Sequence, residues 1–472
     1  MVIYDSVSKR KRPFEPVKAG EARIYVCGPT VYDDAHLGHA RSAVAFDLLR
    51  RTLKALGYKV TFVSNITDID DKIIQKHLQS GESVESITEY YTRRFREDMS
   101  ALGVLSPDIA PKATQSLDAI ERMVQTLLEK GYAYQSDNGV WFDTAKDPDY
   151  CTLSHRCGDE EEARARIEHE EGKRHSRDFA LWKACKTEDV CYDSALGRGR
   201  PGWHIECSAM IAKHLAYEEG EYQIDIHGGG ADLFFPHHEN ESAQSRCASG
   251  RKLAKYWMHN GFVRIDGEKM SKSLGNSFFI KDALKIYDGE SLRFYLLSTH
   301  YRADFNFNET DLLSAKKRLD RLYRLKKRLY GQKAGEADAA FKSALLEALA
   351  DDLNISKALA EVDAMITQAN ETLDNDPKNK PAKRAILGNI NFLGDLLGIG
   401  TQDAYRRFQH GVDDATKEQI ESLIARRAEA KKAKDFATAD AIREELTNMG
   451  IRLMDTPNGT VWEKDETLST SC

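Results

Sequence analysis

The sequence predicts an α/β fold built on a Rossmann-type parallel sheet, and three neighbouring segments carry that prediction. Residues 23–27 are a short β-prone run that ends at a Gly-Pro pair. Residues 38–56 space their apolar side chains along one helical face, and residues 58–66 form a second apolar run. Strand, helix and strand in this order make a βαβ unit, which implies parallel strands joined by a right-handed crossover.

Two later segments predict further strands of the same sheet. Residues 222–227 precede three consecutive glycines, and residues 255–259 precede an Asn-Gly pair. Between the two halves of the predicted sheet, residues 110–200 are charged and irregular. This stretch is therefore interpreted as an insertion on the parallel-sheet core.

From about residue 312 the pattern becomes helical, with leucine and alanine recurring at intervals of three and four. Further helices are predicted at 345–373, with an interruption near 351–354, and at 384–397, 415–433 and 436–448. They are followed by a hairpin around the Thr-Pro-Asn-Gly turn at 456–459. The predicted organisation is a Rossmann domain over 1–300 with its insertion at about 110–200, a linker region over 301–335, a helical bundle over 336–400 and a small α+β module over 401–472.

Composition excludes several classes of protein. The 472 residues include 68 Lys and Arg against 75 Asp and Glu, a net charge of −7, which excludes a globally basic nucleic-acid coat. No uncharged apolar run approaches the roughly 18 residues that a membrane span needs. The start of the chain has no signal-peptide pattern. A soluble protein of the cytoplasm is the expectation.

The eight cysteines are too sparse for a secreted disulfide scaffold, which also favours a reducing compartment. Cys151 and Cys157 are six residues apart, and so are Cys185 and Cys191. These equal spacings are interpreted as incidental.

The first motif with chemical content is residues 28–39, Gly-Pro-Thr-Val-Tyr-Asp-Asp-Ala-His-Leu-Gly-His. It follows the first predicted strand and opens a helix, whose free N–H groups suit a phosphate. Gly38 allows a nucleotide to approach the backbone closely. His36 and His39 can donate to phosphate oxygens, but two histidines at this spacing are also compatible with metal ligation or helix capping.

The second motif is Lys269-Met-Ser-Lys272-Ser-Leu-Gly-Asn over residues 269–276. Two lysines and two serines on a glycine-bounded loop can surround a triphosphate and stabilise a leaving pyrophosphate. A loop of this composition by itself is equally compatible with a solvated basic surface.

The two motifs together resemble the HIGH and KMSKS pair of class I aminoacyl-tRNA synthetases. Further stretches are similar to the cysteinyl-tRNA synthetase family, and the similarity spans nearly the whole chain. They are residues 26–33, 65–73, 202–208, 227–230, 235–241 and 435–462. The resemblance implies a Rossmann-type catalytic domain with an inserted connective subdomain, an α-helical tRNA-binding region with stem contacts over 301–335, and a C-terminal anticodon-binding module.

The resemblance also implies the reaction. Cysteine would attack the α-phosphate of Mg-ATP, and the cysteinyl group would pass to the terminal adenosine of tRNA(Cys). Catalytic roles fall on His36, His39, Lys269 and Lys272, and ATP binding on His36, Gly38, His39 and Lys272. Contacts to the amino acid are implied for Gly28, Thr67, Trp203, His227 and Asp232.

A zinc site is implied at Cys27, Cys207, His237 and Glu241, with one ion per chain. Thiolates, imidazole and carboxylate are ordinary zinc ligands, although spacing alone does not predict the set because there is no C-x-x-C. Zinc binding of the substrate thiolate would exclude serine. A pocket that recognises shape alone discriminates between two substrates of nearly equal size by a factor of only about 10 to 200.

The expected partners are tRNA(Cys), ATP and L-cysteine, with no membrane, and the chain is expected to be a monomer. An alternative is a ligase that joins activated cysteine to a small amine, which would lack the long helical tail after Tyr330. A third hypothesis, a non-catalytic zinc- and RNA-binding relative, would be expected to lose His36, His39 or Lys272, and all three are present.

Overall fold

The computed structural model describes residues 1–156, 172–186, 190–265, 278–456 and 459–465, together with the backbone of residues 268–269. The chain divides into two compact units. The first unit comprises Met1–Lys281, Leu296–Asn308 and Leu346–Ser356, and the second comprises Asp282–Tyr295, Glu309–Leu345 and Lys357–Cys472.

Strands and helices are numbered separately along the chain. The strands are β1 Val2–Asp5, β2 Arg10–Pro13, β3 Glu21–Val26, β4 Lys59–Ser64, β5 Ala133–Ser136, β6 Gly139–Phe142, β7 Phe179–Ala184, β8 Gly199–Pro201, β9 Tyr222–Gly230, β10 Lys252–Asn260, β11 Val263–Ile265, β12 Glu268–Lys269, β13 Phe305–Phe307, β14 Ile451–Thr456 and β15 Gly459–Lys464. The helices are α1 Leu37–Ala55, α2 Asp71–Ser80, α3 Val84–Ala101, α4 Leu117–Glu129, α5 Trp203–His214, α6 Glu239–Ser249, α7 Ile280–Ile286, α8 Gly289–Leu297, α9 Glu309–Arg328, α10 Ala339–Ala350, α11 Ile355–Asn375, α12 Lys380–Leu397, α13 Asp414–Lys432 and α14 Phe436–Asn448.

The core of the first unit is a four-stranded sheet in the order β10-β9-β3-β4, with every neighbouring pair parallel. Ile24 pairs with Phe62 on one side and with Ile226 on the other. This arrangement confirms the predicted βαβ unit and the two later strands. The carboxyl ends of parallel strands lie at one edge of a sheet, where α/β folds bind ligands.

One boundary differs from the sequence prediction. The three glycines Gly228–Gly230 belong to strand β9 itself rather than to a loop after it. Close packing explains why glycine occurs within this strand. A Cβ atom on Gly228 would lie 2.3 Å from the ring of Phe46 in α1. Glycine therefore lets α1 approach the middle of the sheet.

The segment 110–200 is more ordered, within its described residues, than its composition predicted. It contains helix α4 and an antiparallel sheet in the order β5-β6-β7-β8. Short strands rich in buried side chains, including Phe142, Leu181 and Trp182, pack against α4. These strands were not predicted because they are short and charged stretches of sequence separate them.

The interpretation of the cysteine pairs as incidental is wrong, because Cys185, Cys191 and also Cys151 are disulfide-bonded. Cys185 and Cys191 form a disulfide, with Cα atoms 5.9 Å apart. Cys185 follows directly after β7, and Tyr192 pairs with Gly199 at the start of β8. The turn between two paired strands brings the cysteines together, which spacing alone did not show. Cys157 lies outside the described residues.

The helical tail follows the predicted pattern closely. The interruption predicted near 351–354 separates α10 from α11, and Asp352 and Leu353 there have φ angles of 53° and 55°. Helices α13 and α14 begin at aspartate N-caps, Asp413 and Asp435. The antiparallel β14–β15 hairpin follows Gly450, and Trp462 lies buried in the core of this module. The division into four domains remains a prediction.

Candidate active site and metal centre

A cavity of about 450 Å³ opens in the first unit where the strands β3, β4 and β9 end. Its lining includes most of the residues implied to bind substrate or ATP. Among them are Gly28, His36, Gly38, His39, Trp203 and Asp232. The topology thus brings the loop after β3, the start of α5 and the end of β9 to one site.

The two histidines of the first motif cap helix α1. His36 is the N-cap, where its Nδ1 accepts from the Gly38 N–H at 3.1 Å. His39 completes a capping box, because its Nδ1 accepts from the His36 N–H at 3.2 Å. The two rings stack with centroids 3.8 Å apart. Both capping contacts use the Nδ1 atom of the ring.

Cys27, Cys207, His237 and Glu241 form a cluster in which the potential ligand atoms all lie within 4.8 Å of one another. Cys27 Sγ is 4.0 Å from Cys207 Sγ and 3.5 Å from Glu241 Oε1. His237 Nε2 is 3.7 Å from Cys207 Sγ and 2.9 Å from Glu241 Oε1. The cluster could hold a metal ion.

Electrostatic coupling within this cluster shifts the protonation of its members. Burial raises the pKa of Cys27 well above its ordinary range. The hydrogen bond from Cys27 lowers the pKa of Cys207 to about 6, and the His237 imidazole adds to this effect. Although burial opposes it, the Glu241 carboxylate raises the pKa of His237 to about 10. At neutral pH these shifts leave Cys207 as a thiolate and Glu241 as a carboxylate beside a protonated His237, which would have to release its proton to bind a cation.

Comparison with known families gives the context of this site. A family model described as the tRNA synthetases class I (C) catalytic domain matches residues 13–317. A relative from Nitratiruptor sp. named cysteine–tRNA ligase is 64% identical over 98% of this chain and 100% of its own length. The chain belongs to the cysteine–tRNA ligase family. A Helicobacter pylori member of that name is 57% identical over the same shares of both chains.

The tail and the fold agree with this family. A DALR domain model matches residues 344–402, and a model described as the cysteinyl-tRNA ligase anticodon binding domain matches 413–462. A Mycobacterium tuberculosis methionyl-tRNA synthetase bound by methionyl-adenylate has the same fold, with a TM-score of 0.58 at 14% identity over 80% of this chain and 92% of that chain. Among the described residues, no helix is both long and apolar enough to cross a membrane.

Two of the residues implied to contact the amino acid lie behind the cavity wall in this family member. Thr67 Oγ1 accepts from the side chain of Asn65, a lining residue, at 3.1 Å. His227 Nε2 lies 2.7 Å from Glu241 Oε2 and is fully buried. Direct contacts of these two residues with the amino acid stay a prediction. Lys272 and the side chain of Lys269 lie outside the described residues.

The residues that orient the metal-site candidates were not predicted from the sequence. His204 Nδ1 lies 2.8 Å from His237 Nδ1, so it holds the ring nitrogen that faces away from the cluster. A second chain runs from Cys27 Sγ to His238 Nε2 at 3.4 Å, and from His238 Nδ1 to His259 Nε2 at 2.8 Å. His204 lies three residues before Cys207, a helical spacing that could have indicated it.

Gly28 should tolerate no side chain. A Cβ atom there would lie 1.6 Å from the carbonyl oxygen of Asn65 in the adjacent chain segment. Because the obstacle is backbone, Gly28→Ala is expected to destabilise the fold by about 1–3 kcal/mol and to displace Cys27. The free energy of unfolding and the amount of bound metal measure these effects. Gly394→Ala, where the nearest atom is a methyl group at 3.3 Å, serves as the control, and equal stability of both variants would contradict the expectation.

Proposed function

We propose that the chain activates L-cysteine with ATP to cysteinyl-adenylate and transfers the cysteinyl group to the 3′ terminal adenosine of tRNA(Cys). The observation that carries this proposal is full-length similarity to cysteine–tRNA ligases, at 64% identity for the Nitratiruptor relative. A buried cluster of thiols beside a cavity lined by the class I histidines agrees with it.

The metal proposed for this cluster is Zn²⁺, one ion per chain. Zinc bonds of about 2.0–2.3 Å in a tetrahedron place ligand atoms roughly 3.3–3.8 Å apart. The separations of Cys27 Sγ from Glu241 Oε1, 3.5 Å, and of Cys207 Sγ from His237 Nε2, 3.7 Å, lie in this range. The separation of the two sulfur atoms, 4.0 Å, lies above it, and that of His237 Nε2 from Glu241 Oε1, 2.9 Å, lies below it. A second candidate group replaces Cys207 and His237 with His227 and His238. Two thiols make the first set the better match for zinc.

Selection of cysteine against serine would follow from this donor set. A bound zinc ion supplies a soft centre that favours a thiolate over a hydroxyl. Gly28 and Trp203 line the cavity next to Cys27, and Trp203 stacks on His237 with ring centroids 4.1 Å apart. We assign contacts with the amino acid to these residues and to Asp232, and also to the buried Thr67 and His227.

For adenylate formation the chain must place ATP and the cysteine carboxylate in line. The carboxylate is anionic at neutral pH, so no general base is required, and catalysis consists of positioning and charge stabilisation. The free N–H groups at the start of α1, Gly38 and the two capping histidines would hold the phosphates. Lys269 and Lys272 would stabilise the leaving pyrophosphate, with Mg²⁺ carried by ATP.

The tRNA-binding surface proposed for the second unit is an exposed basic stripe on α9. Residues 311–330 hold eight basic side chains, but several are engaged internally: Lys316 with Asp320, Arg318 with Asp363 and Lys327 with Glu463. The stripe consists of the exposed members at helical spacing, Lys317, Arg321, Arg324 and Arg328. Two of them also take part in surface ion pairs, Arg321 with Asp363 and Arg328 with Asp374. It suits the phosphates of a tRNA stem, and the C-terminal module would read the anticodon.

The test is transfer of labelled cysteine to bulk tRNA with ATP, with serine run in parallel and a chelated sample beside it. Cysteine charging without serine charging, lost on chelation together with the bound zinc, is the expected result. If no tRNA is charged but cysteine-dependent pyrophosphate exchange persists, the acceptor is instead a small amine. We also propose that the enzyme is cytoplasmic and acts as a monomer. Its mass in solution tests the monomeric state.

A further inference from the structure

The loop that carries His36 is hydrogen-bonded through its backbone to residues 278–280, which follow the second motif. The Leu37 N–H donates to the Phe278 carbonyl at 2.9 Å, and the Ile280 N–H donates to the Ala35 carbonyl at 2.9 Å. His36 and Phe279 form an antiparallel bridge between these bonds. The position of the N-cap histidine thus depends on the segment that leads into α7.

An ion pair reinforces this junction. Lys281 Nζ lies 2.6 Å from Asp34 Oδ2, two residues before His36. The Asp34 side chain is only 8% exposed, and Arg94 Nε of α3 lies 3.3 Å from its other oxygen. Asp34 is therefore bound between α3 and the start of α7. A partly buried pair is screened by solvent less than a surface pair, so it can hold the geometry of the loop.

We infer that Asp34 and Lys281 are positioning residues for adenylate formation: their ion pair, with the flanking backbone bonds, sets where His36 and the α1 terminus meet the phosphates. The inference rests on the proposed function, because it assigns a role within the same reaction. Neither side chain needs to touch ATP. A displacement of about 1 Å in such a site can lower the rate about 100-fold.

Removal of the lysine should separate this role from folding. In Lys281→Met, Arg94 still balances the Asp34 carboxylate, so the fold is expected to survive. The loop loses its tether, and kcat for cysteine-dependent pyrophosphate exchange should fall about 10- to 100-fold. The KM for cysteine and the zinc content should not change, since the metal cluster is unaltered. Lys281→Arg should restore most of the rate.

The matched control is Lys285→Met, which removes an ion pair with Asp282 of 2.7 Å on the same helix, where Lys285 is 73% exposed. It should leave kcat unchanged. A double variant with Asp34→Asn should be no slower than Asp34→Asn alone if the two residues act through one contact. Wild-type kcat in Lys281→Met, or parallel loss of zinc, would overturn the inference. Absence of exchange in the unmodified enzyme would overturn the proposed function and this inference with it.

Discussion

Cys207→Ala is expected to remove zinc from the chain and to lower cysteine-dependent pyrophosphate exchange by at least about 100-fold. Cys207 is 2% exposed and contributes the thiol with the lowered pKa, about 6. Without it, Cys27, His237 and Glu241 remain as three donors, and the strong positive charge of the ion is less well compensated. Metal analysis of the purified protein and exchange kinetics measure the two effects independently.

The chain offers a matched control in Cys247, another buried cysteine that is 6% exposed. Burial raises the pKa of Cys247 to about 12, and it packs in the core that includes Trp182 and Phe142. Cys247→Ala should keep the zinc and the exchange rate, with at most a modest loss of stability. Full zinc occupancy in Cys207→Ala would show that the ion is held elsewhere.

Arg407→Met is expected to destabilise the second unit by about 3–5 kcal/mol, the cost of removing one member of a buried charge network. The Arg407 side chain is 1% exposed. Its Nε donates to Asp320 Oδ1 at 2.8 Å and its Nη1 donates to Asp288 Oδ1 at 3.0 Å. Against the effect of burial, Arg407 holds the pKa of Asp288 below its ordinary value. The variant leaves the buried Asp288 carboxylate without its cation, while Asp320 keeps its pair with Lys316 at 3.0 Å.

Hydrogen exchange of peptides from α8, α9 and residues 401–412 measures this loss of stability within the second unit. Unfolding of the whole chain would combine the contributions of both units. The control is Arg328→Met on α9, which removes a pair with Asp374 of 2.6 Å whose side chains are 35% and 69% exposed. A surface pair contributes at most about 1 kcal/mol. Equal protection in the two variants would contradict the importance of the buried network.

The sequence was sufficient for the order and type of the elements near the site. The strand at 21–26, the helix after the first motif and the strand at 59–64 follow from the apolar period, because local spacing decides which face can be buried. The same reasoning predicted α13, α14 and the hairpin that buries Trp462. The antiparallel sheet over 133–201 was not predicted, because charged stretches of sequence separate its short strands.

For the site, the family resemblance supplied the four cysteine, histidine and glutamate candidates, whereas spacing did not. These four residues are spread along the chain from residue 27 to residue 241, so no local pattern connects all of them. The contacts of His204 with His237 and of His227 with Glu241 were not predicted, because an orienting contact depends on which side chains face each other after packing.

What the sequence by itself determined is therefore the succession of strands and helices, the two motifs and the family. Only the tertiary structure decided which distant side chains come into contact. They are those of the thiol cluster at the end of β3 and the start of α5, the Asp34–Lys281 pair, and Arg407 with its partners. The physical reason is range. Hydrophobic periodicity acts over a few residues, while hydrogen bonds and ion pairs between distant segments form only when the sheet and helices have brought them within about 3 Å.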